Sequence, residues 1–410
     1  MNVFKPAILF KLLKFKPIQF FHQPESNPFS KQTHMRKYFQ YIDRTVEMDS
    51  SLVTNPRLNK ELNRAIAVVF SDFHDARPGQ PTVFRFCFTT ALSDCWDPAS
   101  ECLSMGDAFY YDGKYKIYNH GATIVLDTTA AIPTIYYLVK NSSKNTLLSR
   151  MSNATFASDL ERQLNVFYYR VFLVFMQWWN IKNGFSFIHA SAFAYNEQAY
   201  LLSATSGIGK SSFLIAASVC TDFSFISDDL TIVGANANAY YLGRKISIKP
   251  YHLDYFPWLK SKLNPQVGAL QALQWQLLSS RKNVSTGISN TAIYQGRIEN
   301  GIPIKKVIHL MNHHSNAFKI VDIKPDALSK IAVSIIQSEL FLALEFFSKI
   351  NYFPQSNEFL EYDKFANQMF TLFNTLFSTV EISCVLVPYR TDPNLLYEYL
   401  KQNLLDAEPS

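Results

Sequence analysis

The sequence predicts an α/β protein: a mixed-sheet domain over 155–410 with an additional α+β region over 1–154. Three observations carry this. Residues 199–233 read as strand, glycine loop, helix and strand, which is the logic of a βαβ unit. From residue 185 onward, strand-like and helix-like apolar patterns alternate. Glycine is scarce, 13 in 410 residues, so the pair at Gly207 and Gly209 is a local signal and not background. An apolar fraction of 48 % with 18 % charged residues excludes an intrinsically disordered chain.

The elements follow in order. Residues 1–35 carry Pro17, Pro24 and Pro28 and read as a weakly held leader. Lys5, Lys11, Lys14 and Lys16 interrupt any signal-peptide core. A helix is expected over 57–70, where Leu58, Leu62, Ile66 and Val69 share a face. A turn over 72–81 leads to a strand over 82–90, and 109–126 reads as two or three short strands turning at Asp112-Gly113. Residues 154–179 read as one long helix, amphipathic first and buried later, ending near Asn183-Gly184. Strands are then expected over 185–194 and 199–204, a helix over 211–220, and strands over 223–233, 241–248 and 305–311. Helices over 326–347 and 362–379, a strand over 381–388 and a helix over 394–405 close the chain.

The chemistry concentrates at Ala204-Thr205-Ser206-Gly207-Ile208-Gly209-Lys210-Ser211-Ser212. This is the G-x-x-x-x-G-K-[ST] pattern of a phosphate-binding loop (P-loop, Walker A), with Ala in the first place. The glycines let the backbone curl so that successive N–H groups point inward as an anion nest. The helix that follows adds its positive end. Lys210 is expected on the β and γ oxygens and Ser211 on Mg²⁺. Ala204 fits if its backbone stays at negative φ. The next strand ends in Asp228-Asp229, where neighbours on a strand point to opposite faces. A carboxylate beside a phosphate loop is placed to serve the metal or the nucleophile's proton. His189 lies on the preceding strand.

Residues 188–233 together resemble the catalytic domain of HPr kinase/phosphorylase and its stand-alone relatives, whose fold is related to ATP-dependent phosphoenolpyruvate carboxykinase. The pattern is H-[GA]-S, a strand, G-x-S-G-x-G-K-S, a helix and D-D. His189 and Lys210 stand 21 apart, as in that family. The resemblance implies an ATP–Mg²⁺-dependent kinase that moves the γ-phosphoryl to a serine hydroxyl of a protein or peptide. It implies that Asp229 is the base, that Asp228 supports the metal or the strand geometry, and that His189 lies near the transferred phosphoryl. It also allows a homo-oligomer and a cytoplasmic location.

The sequence departs from the family in places. Where the family has an acidic metal ligand before an I-R-G turn, residues 246–250 read ISIKP, and Asp254 is the nearest substitute. The family's transition-state arginine has four rivals here: Arg244, Arg281, Lys282 and Arg297. The HPr-docking signature is not evident. The missing carboxylate leaves two other readings: a nucleotide-binding regulator or ATPase, and a catalytically degenerate partner in a peptide-modification system.

Other signals point elsewhere. The net charge is +6 and the basic residues form no run, so nucleic acid is not an expected partner. No stretch is long and apolar enough for an integral membrane segment. Five cysteines without metal-ligand spacing fit a reducing compartment. Asp72, His74 and Asp75 read as a polar turn, His313 and His314 as an exposed one, and the aromatics of 167–179 as core.

Overall fold

The computed structural model describes residues 36–97, 102–119, 121–140, 158–263, 285–298, 301–354 and 362–406. The expected leader over 1–35 and the expected boundary between 154 and 155 lie outside these residues. Helices and mixed sheets share the chain, as an α/β class requires.

The first sheet has eight strands. Its first hairpin, Arg36–Tyr41 with Arg44–Asp49, turns on Ile42 at positive φ. Strand Thr82–Thr89 lies parallel to Arg44–Asp49 and is reached through helix Pro56–Val69. Asn55 caps that helix by accepting from the Leu58 N–H, and Leu58, Leu62, Ala65 and Ile66 form its buried face. The other edge is a meander of Leu103–Met105, Ala108–Tyr111, Lys114–Asn119 and Ala122–Asp127, which Thr134–Leu138 joins to the centre. Asp112 and Gly113, both at positive φ, make the expected turn.

The segment expected as one helix over 154–179 starts, in the described residues, at a capping box between Ser158 and Glu161. It runs Asp159–Phe167, widens into a π turn at Tyr168–Phe172, and continues as Leu173–Lys182. Its aromatics are core: Phe167, Phe172 and Phe175 each pack on Phe86 of the first sheet. Each such fully buried ring contributes on the order of 2–3 kcal/mol of hydrophobic stabilisation.

The second sheet has ten strands and holds the glycine loop. Gln198–Ser203 lies parallel to Ile302–His313, which in turn lies parallel to Glu381–Pro388. Two strands expected to be continuous are broken. Residues 185–194 divide at His189 into Phe185–Ile188 and Ala190–Tyr195, and 223–233 divide at 228–230 into Phe223–Ser227 and Thr231–Gly234. The breaks match, because Phe185–Ile188 pairs with Thr231–Gly234 while Ala190–Tyr195 pairs with Phe223–Ser227. The expected strand over 241–248 is also wrong in part. The sheet strand is Asn238–Tyr240; the chain then turns through 241–245 and re-enters as Ile246–Ile248, paired with Thr286–Ile288. Gly243 permits that path, since a Cβ there would meet the Phe73 Cα at 2.5 Å.

Helix Pro325–Ile350 spans both regions. It buries Leu328, Ala332, Ile336 and Leu340 at four-residue spacing, and Lys349 near its end pairs with Asp107 of the first sheet. A second core lies beneath the helix after the glycine loop, where Phe193, Phe213, Phe223, Leu396, Tyr397 and Leu400 meet.

Candidate functional site

The glycine loop leaves strand Gln198–Ser203 and enters helix Lys210–Ala217. Gly207 and Gly209 have φ of +91° and +117°, backbone that only glycine takes without strain. Ala204 is buried and is not among the residues at positive φ, so alanine fits there. The Lys210 ammonium is folded back on the loop. It donates to the carbonyls of Ala204 (2.9 Å) and Thr205 (3.2 Å) and faces His189 Nε2 at 2.9 Å. All three N–H donors therefore have acceptors. Burial lowers the Lys210 pKa, while Asp229, Asp228 and Glu339 raise it.

The matched strand breaks bring the two aspartates to one place. Asp228 is buried, and its Oδ1 accepts from the hydroxyls of Ser191 (2.7 Å) and Ser211 (2.9 Å). Burial and then Asp229 push its carboxyl above the usual range. Asp229 has φ +70°, and the Leu230 N–H reaches back to the Asp228 carbonyl at 2.9 Å. That is the γ-turn with positive φ, a conformation costing on the order of 1–3 kcal/mol outside glycine. The two side chains thus do not point to opposite faces of a strand; the turn aims both at the loop.

Asp229 pairs with the Arg244 guanidinium, and its other oxygen lies 3.6 Å from His189 Nε2. Burial works to raise its pKa, but Arg244, His189 and Lys210 together hold it below the usual carboxylate range. Arg244 is further held by the Tyr169 hydroxyl and stacks over that ring at 5.2 Å. Burial and then the Lys210 charge push the His189 pKa down to about 4, so its imidazole is neutral near pH 7.

An open cleft runs along the loop. Its lining includes Ser206, Gly207, Gly209, Lys210, Ser211 and Ser212 of the loop and helix, Asp228 and Asp229, and Arg244. The opposite wall is the strand Ile246–Ile248 with its flanks. Ile246 and Ile248 point into the core, and the alternate positions Lys245, Ser247 and Lys249 face the cleft. Burial and then Lys249 lower the His252 pKa to about 4, and its Nε2 lies 3.1 Å from the Ser212 hydroxyl.

Of the residues singled out in the sequence, His189, Lys210, Ser211, Asp228 and Asp229 are brought together, joined through direct contacts. Asp254 is exposed on the short helix Pro250–Tyr255 and does not line the cleft. Among the rival basic residues, Arg244 lies in the site; Arg281 and Lys282 lie outside the described residues, as does the side chain of Arg297. Two further residues had no signal in the sequence. Tyr169 sits on the π turn, and Glu339 on helix Pro325–Ile350 places Oε1 3.9 Å from His189 Nδ1. Each is a single polar residue on a helix with no motif around it, and only the fold brings it here.

Asp72 is a structural pin: it accepts from the backbone and side chain of Asn290. Among the described residues no group of three or more His, Cys, Asp or Glu side chains is arranged to hold a metal ion, and no helix is long and apolar enough to cross a membrane. The sequence matches no protein-family model and no curated protein.

Proposed function

We propose that the protein is an ATP–Mg²⁺-dependent phosphotransferase that moves the γ-phosphoryl to a hydroxyl, that of a serine in a protein or peptide, in the manner of the HPr kinase-like family it resembles. The observation that carries the reading is the convergence of a lysine-bearing glycine loop, a serine–aspartate pair and a second aspartate at matched breaks in two paired strands.

The donor set suits the ligands. Mg²⁺ takes oxygen ligands, one or two from carboxylates and the rest from phosphates and water. Ser211 and Asp228 would hold it, and it would neutralise charge on the β and γ oxygens. Asp254, exposed and outside the cleft lining, adds nothing to that set. Lys210 has its acceptors on the loop's own carbonyls, which incoming phosphate oxygens replace with stronger, charge-assisted ones. Asp229 would receive the hydroxyl proton. It can do so once Arg244 turns from it toward the phosphoryl, a move that raises the basicity of one group and neutralises charge on the other.

One observation favours the regulator or ATPase reading instead: Asp229 is paired with Arg244 and held below its usual range, which makes it a weak base as it stands. The two readings separate on labelled transfer. Wild type and Lys210→Ala are incubated with γ-labelled ATP, Mg²⁺ and an extract of the source organism. The kinase reading expects a labelled protein or peptide with wild type and a loss of about a thousandfold in Lys210→Ala. Lys210-dependent release of free phosphate with no labelled acceptor overturns it in favour of an ATPase.

A further inference from the structure

We infer that Tyr251 is the platform on which the base of the nucleotide stacks, at the end of the cleft away from the transferred phosphoryl. The inference rests on the phosphotransferase reading and gives it a base subsite.

The wall opposite the glycine loop changes chemistry along its length. It begins at Arg244, which pairs with Asp229, the proposed proton acceptor. Lys245, Ser247 and Lys249 then face the cleft, and Tyr251 and His252 line it after them. The chain between is extended over Ile246–Ile248. Residues 245 to 249 therefore cover about 13 Å, at about 3.3 Å per residue. An arginine, two lysines and an aromatic ring thus stand in the order of the parts of a nucleoside triphosphate: γ-phosphoryl, phosphate chain, base.

The loop sets the same direction. Lys210 and Ser211 contact His189 and Asp228 at the transfer end. Ser212, next on the helix, contacts His252 instead. A phosphate chain held at its β and γ oxygens by Lys210, with Mg²⁺ on Ser211, leads its α-phosphate toward Ser212 and its nucleoside toward Tyr251.

The Tyr251 ring is fixed by its neighbours. The Lys249 N–H donates to His252 Nδ1 at 3.1 Å, so the proton of the neutral ring is on Nε2, which donates to the Ser212 hydroxyl at 3.1 Å. His252 is 1 % exposed and is tied in this way to the strand's flank and to the loop's helix. The Tyr251 ring meets that imidazole at 4.3 Å between centroids and 62° between planes. Burial raises the Tyr251 phenol pKa, and the Ser212 side chain beside it lowers it. The residue nevertheless stays 43 % exposed. An aromatic ring that is held in place, lines the cleft and still opens to solvent stacks on a base with little ordering left to lose. Tyr255, one turn along the same short helix and 41 % exposed, is not among the residues lining the cleft, and it is the matched control.

The test is calorimetric titration of the full chain with ATP and with ribose 5-triphosphate, which lacks only the base, each with Mg²⁺. Wild type should bind ATP about tenfold tighter or more. Tyr251→Ala should lose about tenfold for ATP and nothing for ribose 5-triphosphate, whereas Tyr251→Phe should stay within about twofold of wild type for both. Tyr255→Ala should change neither. In labelled transfer, Tyr251→Ala should raise the KM for ATP by the factor lost in binding. Equal losses for the two ligands in Tyr251→Ala overturn the inference, because Tyr251 then only holds the wall. So does a loss in Tyr255→Ala that matches that of Tyr251→Ala. Unchanged ATP affinity in Tyr251→Ala overturns it as well, and a raised KM for the hydroxyl acceptor alone would give Tyr251 to the acceptor. Wild type that binds both ligands equally has no base subsite, which overturns the inference and leaves the phosphate site standing. If neither ligand binds, the inference falls, and the phosphotransferase reading falls with it only if an extract also yields no Lys210-dependent label.

Discussion

Both sheets of this protein carry positive-φ residues at hairpin tips, Asn196, Glu197 and Ala237 doing so in the second, but the second adds one where paired strands are broken. In the first, residues off the regular backbone sit at hairpin tips: Ile42, Asp112 and Gly113 all turn one strand into the next. In the second, Asp229 takes positive φ inside what the apolar pattern reads as one strand, opposite a second break at His189. A tip costs the sheet nothing, because the ladder ends there anyway. A break within paired strands forgoes ladder hydrogen bonds and adds strain, and here it aims two carboxylates and an imidazole at a glycine loop.

The comparison can be broken first at the core. Phe86 is fully buried in the first sheet against Phe167, Phe172 and Phe175. Phe86→Ala should cost about 3–5 kcal/mol in urea unfolding while leaving the proposed nucleotide affinity of the folded protein unchanged. A loss of affinity at full folding would show that the first sheet shapes the site.

A sharper comparison holds the backbone preference constant. Asn tolerates positive φ as well as Asp does, so the same substitution can be made in both regions. Asp229→Asn leaves the mostly buried Arg244 without its carboxylate, and should cost about 1–3 kcal/mol of stability and about a hundredfold of the proposed transfer. Asp112→Asn, at a hairpin tip, should stay within about 0.5 kcal/mol of wild type. Equal effects in thermal unfolding would remove the distinction drawn between tip and break.

The last comparison is in pH. His189, His252 and His309 have pKa values pushed down to about 4, each first by burial. Unfolded histidine titrates near 6.5. Between these values the unfolded chain binds more protons, so stability is full above pH 6.5, falls as pH drops toward 4, and levels below. Each histidine adds a slope of about 1 kcal/mol per pH unit within that window. Urea midpoints from pH 7.5 to 5 should show it, and His309→Gln should flatten the slope by one share; an unchanged slope would contradict the burial account.

The sequence was most legible where pattern and local chemistry agree. The strand Glu381–Pro388 and the helix Tyr362–Thr379 match their expected spans, and Thr82–Thr89 ends one residue early. The glycine loop was readable because its residue types are tied to one backbone path. The hairpin over 36–49 escaped because its polar and apolar residues do not alternate cleanly: Glu47 and Asp49 are buried, paired with Arg36 and Arg85. The strand breaks escaped because strand-like apolar residues resume on both sides of His189 and of Asp228-Asp229, and it is the pairing of one broken strand with another that shows them. Glu339 and Tyr169 escaped because contact across the fold, and no local pattern, gives them a place.

The π turn at Tyr168–Phe172 has a consequence for chain length. A π turn holds one residue more than the α-helix needs, so a chain one residue shorter there closes into regular helix on either side. Deleting Tyr169 should therefore be tolerated by the helix, while Arg244 loses both its aromatic platform and a hydroxyl partner. The extra residue of the turn is what sets Tyr169 beside Arg244 where the helix passes the site.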